Sequence, residues 1–303
     1  MIRKERVPSG KILCILVFIL AAVSCTPKEL QLPTKVEPPP KPAKIALVLG
    51  AGASRGFAHI GVLKVLELYK VPIHMIVGTS AGSFVGSLYA YGFSAFQIQK
   101  IALSLDKNEI IDLSVPDNGF IKGEKLEAYI NTLVQNTPLE KMRIPFYAVS
   151  TNVQTGREVI FGKGNTGTAV RASCAIPGIF RPVRIDNTLY VDGGVVSPVA
   201  VDAARSMGAD VVIAVDISAD KNTKQPEGTI ETILQAISIM HSRISAPQLG
   251  RADVVIRPNV GRFGSADFDT RHDAIIEGEK ATLAALPAIQ QALTKLQQSG
   301  KLP

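Results

Sequence analysis

The sequence predicts an α/β fold with three layers around a mostly parallel central sheet. From Ile45 onward, short β-rich apolar runs alternate with stretches of helical spacing. The first two of those runs each end in a glycine-containing turn that opens into a helix, and no internal repeat interrupts the alternation. The 303 residues, 46% of them hydrophobic, suit one globular domain and are too few for two large ones.

The chain begins with residues that do not read as part of that domain. In residues 1–24, Arg3, Lys4, Arg6 and Lys11 against Glu5 form a basic start, and Ile12–Val23 is an apolar run. Its 12 residues fall short of the ~20 needed to span a bilayer, which predicts a signal peptide. The run leads into "LAAVSC", which resembles the lipobox of bacterial lipoproteins, with alanine rather than leucine three places before the cysteine. That resemblance implies Cys25 as the lipid-modified N-terminus; an ordinary secretory signal or an uncleaved anchor are the other readings. Thr26–Lys44 carries six prolines and no apolar periodicity, so residues 25–44 form a lipidated cysteine and a linker. Extended, the linker would reach roughly 60 Å, a tether for a domain moving over a membrane. Thr26 stands where an aspartate is associated with inner-membrane retention. The expected location is therefore the cell envelope, on the periplasmic face of the outer membrane where the organism has one.

Removing residues 1–24 takes four basic and one acidic residue from a formal charge of +7, leaving 29 basic against 25 acidic. A weakly basic chain without a long basic run, and without tryptophan, argues against nucleic acid as a partner. Of three cysteines only Cys174 would remain free, so no intramolecular disulfide framework is expected.

The domain itself, residues 45–303, opens on "IALVLG", a strand closed by glycine, followed by the loop "GAGASRG" and a helix over about Phe57–Tyr69. "IHMIVGTS" (Ile73–Ser80) reads as a second buried strand, and Ala81–Tyr91 as a helix stopped by Gly92. Helical regions follow at Ala95–Ile111 and Lys122–Gln135. Strands are expected at "FYAVSTNV", "EVIFG", "TLYVD" and "DVVIAVDIS". A helix over Thr229–Ile244, a strand "DVVIRPN" and a helix over Asp273–Gln298 complete the order.

Three stretches carry possible chemistry. The glycine-rich loop at a helix mouth can cradle a phosphate, a dinucleotide or an oxyanion. "GTSAG", Gly78-Thr79-Ser80-Ala81-Gly82, matches the nucleophile elbow G-x-S-x-G, in which a sharp strand-to-helix turn pushes the serine oxygen clear of the backbone. Glycines two places either side are required because strand and helix pass too close for a β-carbon. Gly82, Gly86 and Ala90 then share one helix face and allow close packing. A small-residue turn with a satisfied hydroxyl is the structural reading of the same pattern. The elbow needs a base. His59 and His74 precede Ser80, and His241 and His272 sit at helical or helix-entry positions, where surface or capping roles are expected. "YVDGGVVSP" offers Asp192 instead, at a strand end before Gly193 and Gly194, a pattern that also makes a plain hairpin turn. A free aspartate, with a pKa of about 3.9, is a weak base unless burial raises that value.

The glycine loop with Arg55, the "GTSAG" elbow and the "DGG" aspartate, in that order, resemble the patatin-like phospholipase family. The likeness is to its bacterial branch, related to the catalytic domain of neuropathy target esterase. "RASCAIPGIFRPV" (Arg171–Val183) is similar to a further block of that family, and the resemblance spans roughly Lys44–Gln298. It implies a patatin-like fold and a serine–aspartate dyad acting on acyl esters of phospholipids or lysophospholipids, without metal or cofactor. Ser80 would be the nucleophile and Asp192 the base. The loop residues Gly50, Gly52, Ala53, Arg55 and Gly56 would form the oxyanion hole, chiefly through amides around Gly52 and Ala53. Ala51 and Ala53 stand where relatives commonly carry glycine, and their methyl groups would narrow the approach. Arg55 would either face a phosphate or anchor the loop in an ion pair; Arg171 and Arg181 have the same two readings. Cys174 reads as a core thiol.

Three alternatives remain at this stage. One is a non-catalytic envelope lipoprotein of the same fold that binds lipid or protein. Another is an α/β-hydrolase using His241 or His272. The last is dinucleotide binding, although the third glycine of "GAGASRG" falls one place late for G-x-G-x-x-G and no acidic residue closes the second strand.

Overall fold

The computed structural model describes residues 41–113, 118–218, 225–264 and 266–302. The signal peptide, Cys25 and all but the end of the Pro-rich linker lie outside the described residues. Within them the packed chain begins at Ala43, which is buried and donates its N–H to Lys301 O at 2.9 Å.

The first strand, β1 (Ile45–Leu49), shows why a sheet forms here. All five residues are buried, and they alternate between two apolar clusters: Ile45, Leu47 and Leu49 face one, Ala46 and Val48 the other. A strand apolar on both faces must be covered on both faces. A 3-10 turn (Ala53–Gly56) leads from it into α1 (Phe57–Leu68). Then come β2 (Met75–Thr79), α2 (Ala81–Tyr91), α3 (Ala95–Ser104), α4 (Lys107–Ile110) and α5 (Glu124–Leu133). The middle of the chain forms β3 (Phe146–Asn152), β4 (Glu158–Phe161), α6 (Thr166–Ser173), β5 (Val183–Ile185) and β6 (Thr188–Asp192). It ends in α7 (Val201–Ser206), β7 (Val211–Val215), α8 (Thr229–Leu249), β8 (Val254–Ile256) and α9 (Arg271–Gln298).

The eight strands form one sheet in the order β5-β6-β3-β2-β1-β7-β8, with β4 also on β3. Pairs among β3, β2, β1, β7 and β8 are parallel; β4, β6 and β5 add antiparallel pairs at one side. The larger cluster packs residues of α1, α2, α3 and α9 on one face. The other face is covered by Val201, Ala203 and Ala204 of α7 with Leu249 of α8. The expected three layers and mostly parallel sheet are therefore present.

Three local expectations need correction. The helical region 95–111 is two helices, because Leu105 is extended and Asp106 starts a new one with a capping box to Glu109. The helix expected to end at Ile244 continues to Leu249, past Pro247. Short α6 and α7, and strand β5, were not anticipated, being too brief for an apolar period to show. Gly92 does close α2, with φ 124°.

Candidate active site

The turn from β2 into α2 has the steric demands expected of an elbow. Ser80 holds φ 53°, ψ −123°, a strained conformation for a non-glycine residue, and is 4% exposed. A β-carbon on Gly82 would lie 2.0 Å from Leu49 O, and one on Gly78 2.5 Å from Ser83 Cα. Strand and helix therefore do pass too close for any side chain at either position. The backbone of the turn is secured from outside: the Ser80 N–H donates to Ser173 Oγ at 2.9 Å, which in turn donates to Val149 O at 2.5 Å. Thr79 Oγ1 donates to Ser197 O at 3.0 Å. Ala81 meets Gly56 of the glycine loop so closely that a β-carbon there would lie 2.5 Å from its own.

Sheet register brings Asp192 beside Ser80. Thr79 pairs with Val149 across β2–β3, and the next residue of β3, Ser150, pairs with Asp192 of β6. The backbones of Ser80 and Asp192 thus sit at one level on either side of β3, about 10 Å apart along the sheet at ~4.8 Å per strand, and their side chains meet across it. Asp192 is 2% exposed. Its N–H donates to Ala175 O at 2.9 Å, and its carbonyl accepts from Thr151 Oγ1 at 2.9 Å. Oδ1 accepts from the Gly194 N–H at 2.7 Å, whereas Oδ2 is buried with no hydrogen-bond partner among the described residues. Burial raises its pKa to about 7, with the Ser80 hydroxyl and the Gly194 amide pulling the other way. The DGG sequence is a 3-10 turn, Gly193–Val195, rather than a hairpin.

The glycine loop divides its amides unequally. Gly50 N–H donates to Val215 O at 3.1 Å and Ala51 N–H to Pro198 O at 2.9 Å, so neither is left for a ligand. Arg55 N–H donates to Gly52 O at 3.1 Å. The expectation that Gly50 and Arg55 lend amides to an oxyanion hole is therefore corrected: the sheet and the 3-10 turn consume them. The amides of Gly52 and Ala53 have no acceptor among the described residues. Ala53 lies at φ 51°, in the region that favours glycine, and borders the cavity described below. The Arg55 side chain is 1% exposed and donates to Phe263 O at 3.0 Å and Ser238 Oγ at 2.8 Å. It anchors the loop without a carboxylate, so neither expected reading, ion pair or phosphate contact, describes it. Desolvation lowers its pKa.

Ser80 opens on a cavity of about 280 Å³ with an almost wholly apolar lining. Ala53 and Gly56 of the loop, Phe84 and Leu88 of α2, Ile98 and Ile101 of α3, and Ile230 and Leu234 of α8 contribute to its walls. Cys174 lines it too, close enough to Ser80 for the two side chains to interact, and burial followed by the Asp192 charge pushes its thiol up. Its expected core role holds only in part, since it packs against the core and also borders the site.

The histidines fall into two groups. His74 and His272 are exposed, His74 Nδ1 accepting from Ile45 N–H at 3.1 Å. His59 is fully buried with Nε2 2.8 Å from Gly50 O, and burial lowers its pKa to about 4. His241, expected at the surface, is 8% exposed, its Nε2 only 2.4 Å from where a Gly194 β-carbon would stand. Desolvation and the Arg55 charge lower its pKa to about 4. It packs against the Asp192 turn, while the titratable groups that respond to the Ser80 hydroxyl are Asp192 and Cys174.

Sequence reading missed Ser173, Ser238 and Gln248, and it weighed His241 as a possible base while expecting it at the surface. Ser173 lay inside the quoted "RASCAIPGIFRPV" stretch; the other three sit on a helix whose buried face is polar, which inverts the usual signal. Arg171 is an anchor, paired with Glu127 at 3.0 Å and donating to Lys122 O at 2.8 Å. Arg181 donates its amide to Ile121 O at 2.8 Å. Among the described residues no cluster of three or more His, Cys, Asp or Glu is placed to hold a metal ion.

Comparison with known proteins converges on one family. The family description "Patatin-like phospholipase" matches residues 47–205, more than half of the chain and inclusive of the loop, the elbow and Asp192. Patatin-like phospholipase domain-containing protein 6 of Homo sapiens is 36% identical over 187 residues, 59% of this chain and 14% of the relative. An uncharacterised NTE family protein of Mycobacterium bovis is 35% identical over 178 residues, 58% of this chain and 49% of the relative. The lysophospholipase NTE1 of Coccidioides immitis is 36% identical over 197 residues, 61% of this chain and 12% of the relative. The match thus spans half or less of each relative's length. Among solved structures, VipD from Legionella pneumophila superposes with a TM-score of 0.58 at 13% identity, covering 82% of this chain and 67% of that one, a likeness of fold.

Proposed function

The chain belongs to the patatin-like phospholipase family, and on that premise we propose that it is a serine acyl-ester hydrolase acting on phospholipids or lysophospholipids. The observation that carries this reading is Asp192: a buried carboxylate raised to about 7, with one oxygen left unpartnered, next to a serine on a strained turn. A carboxylate with that pKa is a competent base at neutral pH, where an exposed aspartate is not. The nearby cavity accepts a hydrocarbon chain and little else.

The steps follow from those positions. Ser80 Oγ attacks the ester carbonyl carbon as its proton passes to Asp192 Oδ2, and the carbonyl oxygen, now an oxyanion, accepts from the Gly52 and Ala53 amides. Collapse breaks the bond to the alcohol oxygen, which takes the proton from Asp192 and leaves, so that the acyl group rests on Ser80. Water then attacks the acyl carbon, giving its proton to Asp192. The second collapse frees the fatty acid and returns that proton to Ser80 Oγ. The Ser80 amide's hydrogen bond to Ser173 Oγ supports this by holding the strained turn. We further propose that Cys25 carries the lipid anchor and that the domain works at a membrane of the cell envelope.

Fluorophosphonate labelling together with mass spectrometry of mixed phospholipids tests the reaction. Wild type is expected to be labelled and to release fatty acid, and Ser80→Ala to do neither, with a rate loss of at least about 10⁴-fold. If wild type and Ser80→Ala are equally unlabelled and neither cleaves any acyl ester, the chain is a binding protein of the same fold. For the anchor, wild type is expected to incorporate a labelled fatty acid in cells and Cys25→Ser to incorporate none.

A further inference from the structure

Helix α8 carries its polarity the wrong way round for a surface helix. The side packed into the domain holds Ser238, His241, Ser245 and Gln248 beside Leu234 and Leu249. Two of these polar residues serve the site: Ser238 receives Arg55, and Gln248 accepts from Val199 N–H and donates to Val196 O behind the Asp192 turn. Apart from Ile239, which is 55% exposed and lies off it, the larger apolar residues that are not packed inward fall on another flank. Ile230, Ile233, Ile237, Met240 and Ile244 recur at i, i+3, i+7, i+10 and i+14, which aligns them in one row along the helix. None of the five is buried; Ile230 is 44% and Met240 52% exposed.

The row is continuous with the mouth of the cavity. Ile230 is one of the cavity's lining residues, and so is Leu113, which is 78% exposed. Across its 21 residues α8 runs for about 30 Å, so an apolar strip leads away from the opening over much of that length.

We propose that this row, with Leu113, is the face by which the domain docks on a lipid bilayer, its occupant being phospholipid acyl chains. The proposal rests on the acyl-ester reading above and names the surface through which such a substrate would enter. Two features favour lipid over a second copy of the chain. A strip of about six side chains falls far short of the ~20–30 residues a side that a stable protein interface uses. It also ends at the opening that a bilayer lipid must reach. The exposed charges of α8 are Glu231 and Arg243, one of each sign, so attraction to the bilayer is apolar and insensitive to salt.

The chain has no tryptophan, so a single introduced one reports its own surroundings. In a Ser80→Ala background, which leaves the lipid intact, Met240→Trp is mixed with phosphatidylcholine vesicles whose acyl chains carry bromine as a quencher. The expected result is a blue shift with at least twofold quenching, unchanged in roughly 0.5 M salt, which shortens the screening length to about 4 Å. Ala246→Trp, on the other flank of α8, should respond little. Equal responses at the two positions, or no quenching at 240, overturn the proposal. So does emission at 240 that is already blue-shifted and unquenched, which would mean that residues of this chain or a second copy cover the row. In the Ser80-intact chain, Ile237→Glu with Met240→Glu should lower hydrolysis of phospholipid vesicles at least tenfold while leaving a soluble short-chain ester within twofold. If wild type hydrolyses no ester yet 240 is quenched, the docking face stands and the acyl-ester reading falls.

Discussion

Asp192 concentrates the chemistry of this protein in one carboxyl group. Placing a carboxylate at 2% exposure is unfavourable unless it is paired, and among the described residues only Oδ1 has a donor. The resulting rise to about 7 sets the pH dependence of the proposed reaction. The base works deprotonated, so kcat/KM should rise with pH through a midpoint near 7 and then level off, and Asp192→Asn should lose about 10²–10⁴-fold at every pH. A profile with a midpoint near 4 would instead point to an imidazole such as His241. Ala53 poses a different residue-scale question. At φ 51° its methyl group costs about 1–2 kcal/mol relative to glycine, against roughly 0.5–1 kcal/mol of chain entropy that glycine loses on folding. Ala53→Gly should therefore leave stability unchanged or raise it by up to about 1 kcal/mol in urea unfolding. Its amide remains where it is, so catalysis is expected within about threefold of wild type. A large gain in rate would show that the methyl group does narrow the site.

Glycines matter at the element scale wherever two backbones touch. α1 and α9 cross at Gly61 and Gly278: a β-carbon on the first would lie 1.9 Å from Ile275 O, and one on the second 2.0 Å from Ala58 O. Neither obstacle is a side chain that could rotate away, so Gly278→Ala must push the helices apart. A loss of about 3 kcal/mol, the upper end for overpacking, is expected, read as a fall in Tm. Gly61 lies inside a helix whose apolar spacing was plain from the sequence, but nothing local marked it as a crossing point. The elbow glycines were legible because strand, turn and helix are contiguous in sequence. The break at Leu105–Asp106 was not read, although Asp106 and Glu109 spell a capping box, because the surrounding apolar spacing runs on through it. α8 was legible in position but not in orientation, since periodicity reveals a face without saying whether that face is inward.

At the scale of the whole molecule, buried titratable groups oppose one another. His59 and His241, lowered to about 4, add stability above the unfolded imidazole value of ~6.5 and lose it as pH falls towards 4. Asp192, raised to about 7, has the opposite sign: its contribution is present below the unfolded value of ~3.9 and lost as pH rises through 7. Asp216, also raised by burial, adds to the second group. Between pH ~4 and ~6.5 the two slopes cancel in part, and Tm should change little. Asp192→Asn removes the largest opposing contribution. In that variant stability should fall by about 1–2 kcal/mol per pH unit on acidification through the same window, measured by denaturant unfolding at several pH values. Parallel curves for wild type and variant would mean that Asp192 titrates at its ordinary value.

The sequence by itself determined whatever depends on neighbours in the chain. The three-layer α/β class follows from the alternation of strand and helix. The positions of the first two turns, and the residue types a serine elbow requires, follow from sterics acting within a few residues. Tertiary structure decided what depends on partners far along the chain. The Gly50 amide is spent on Val215 O and the Gly52 and Ala53 amides are not, which only strand order settles. His241 lies buried against Gly194 rather than at the surface because α8 turns its polar side inward. The pKa of Asp192 likewise depends on how much of the fold surrounds it, since desolvation is a property of the enclosing volume and not of the peptide that carries the carboxyl group.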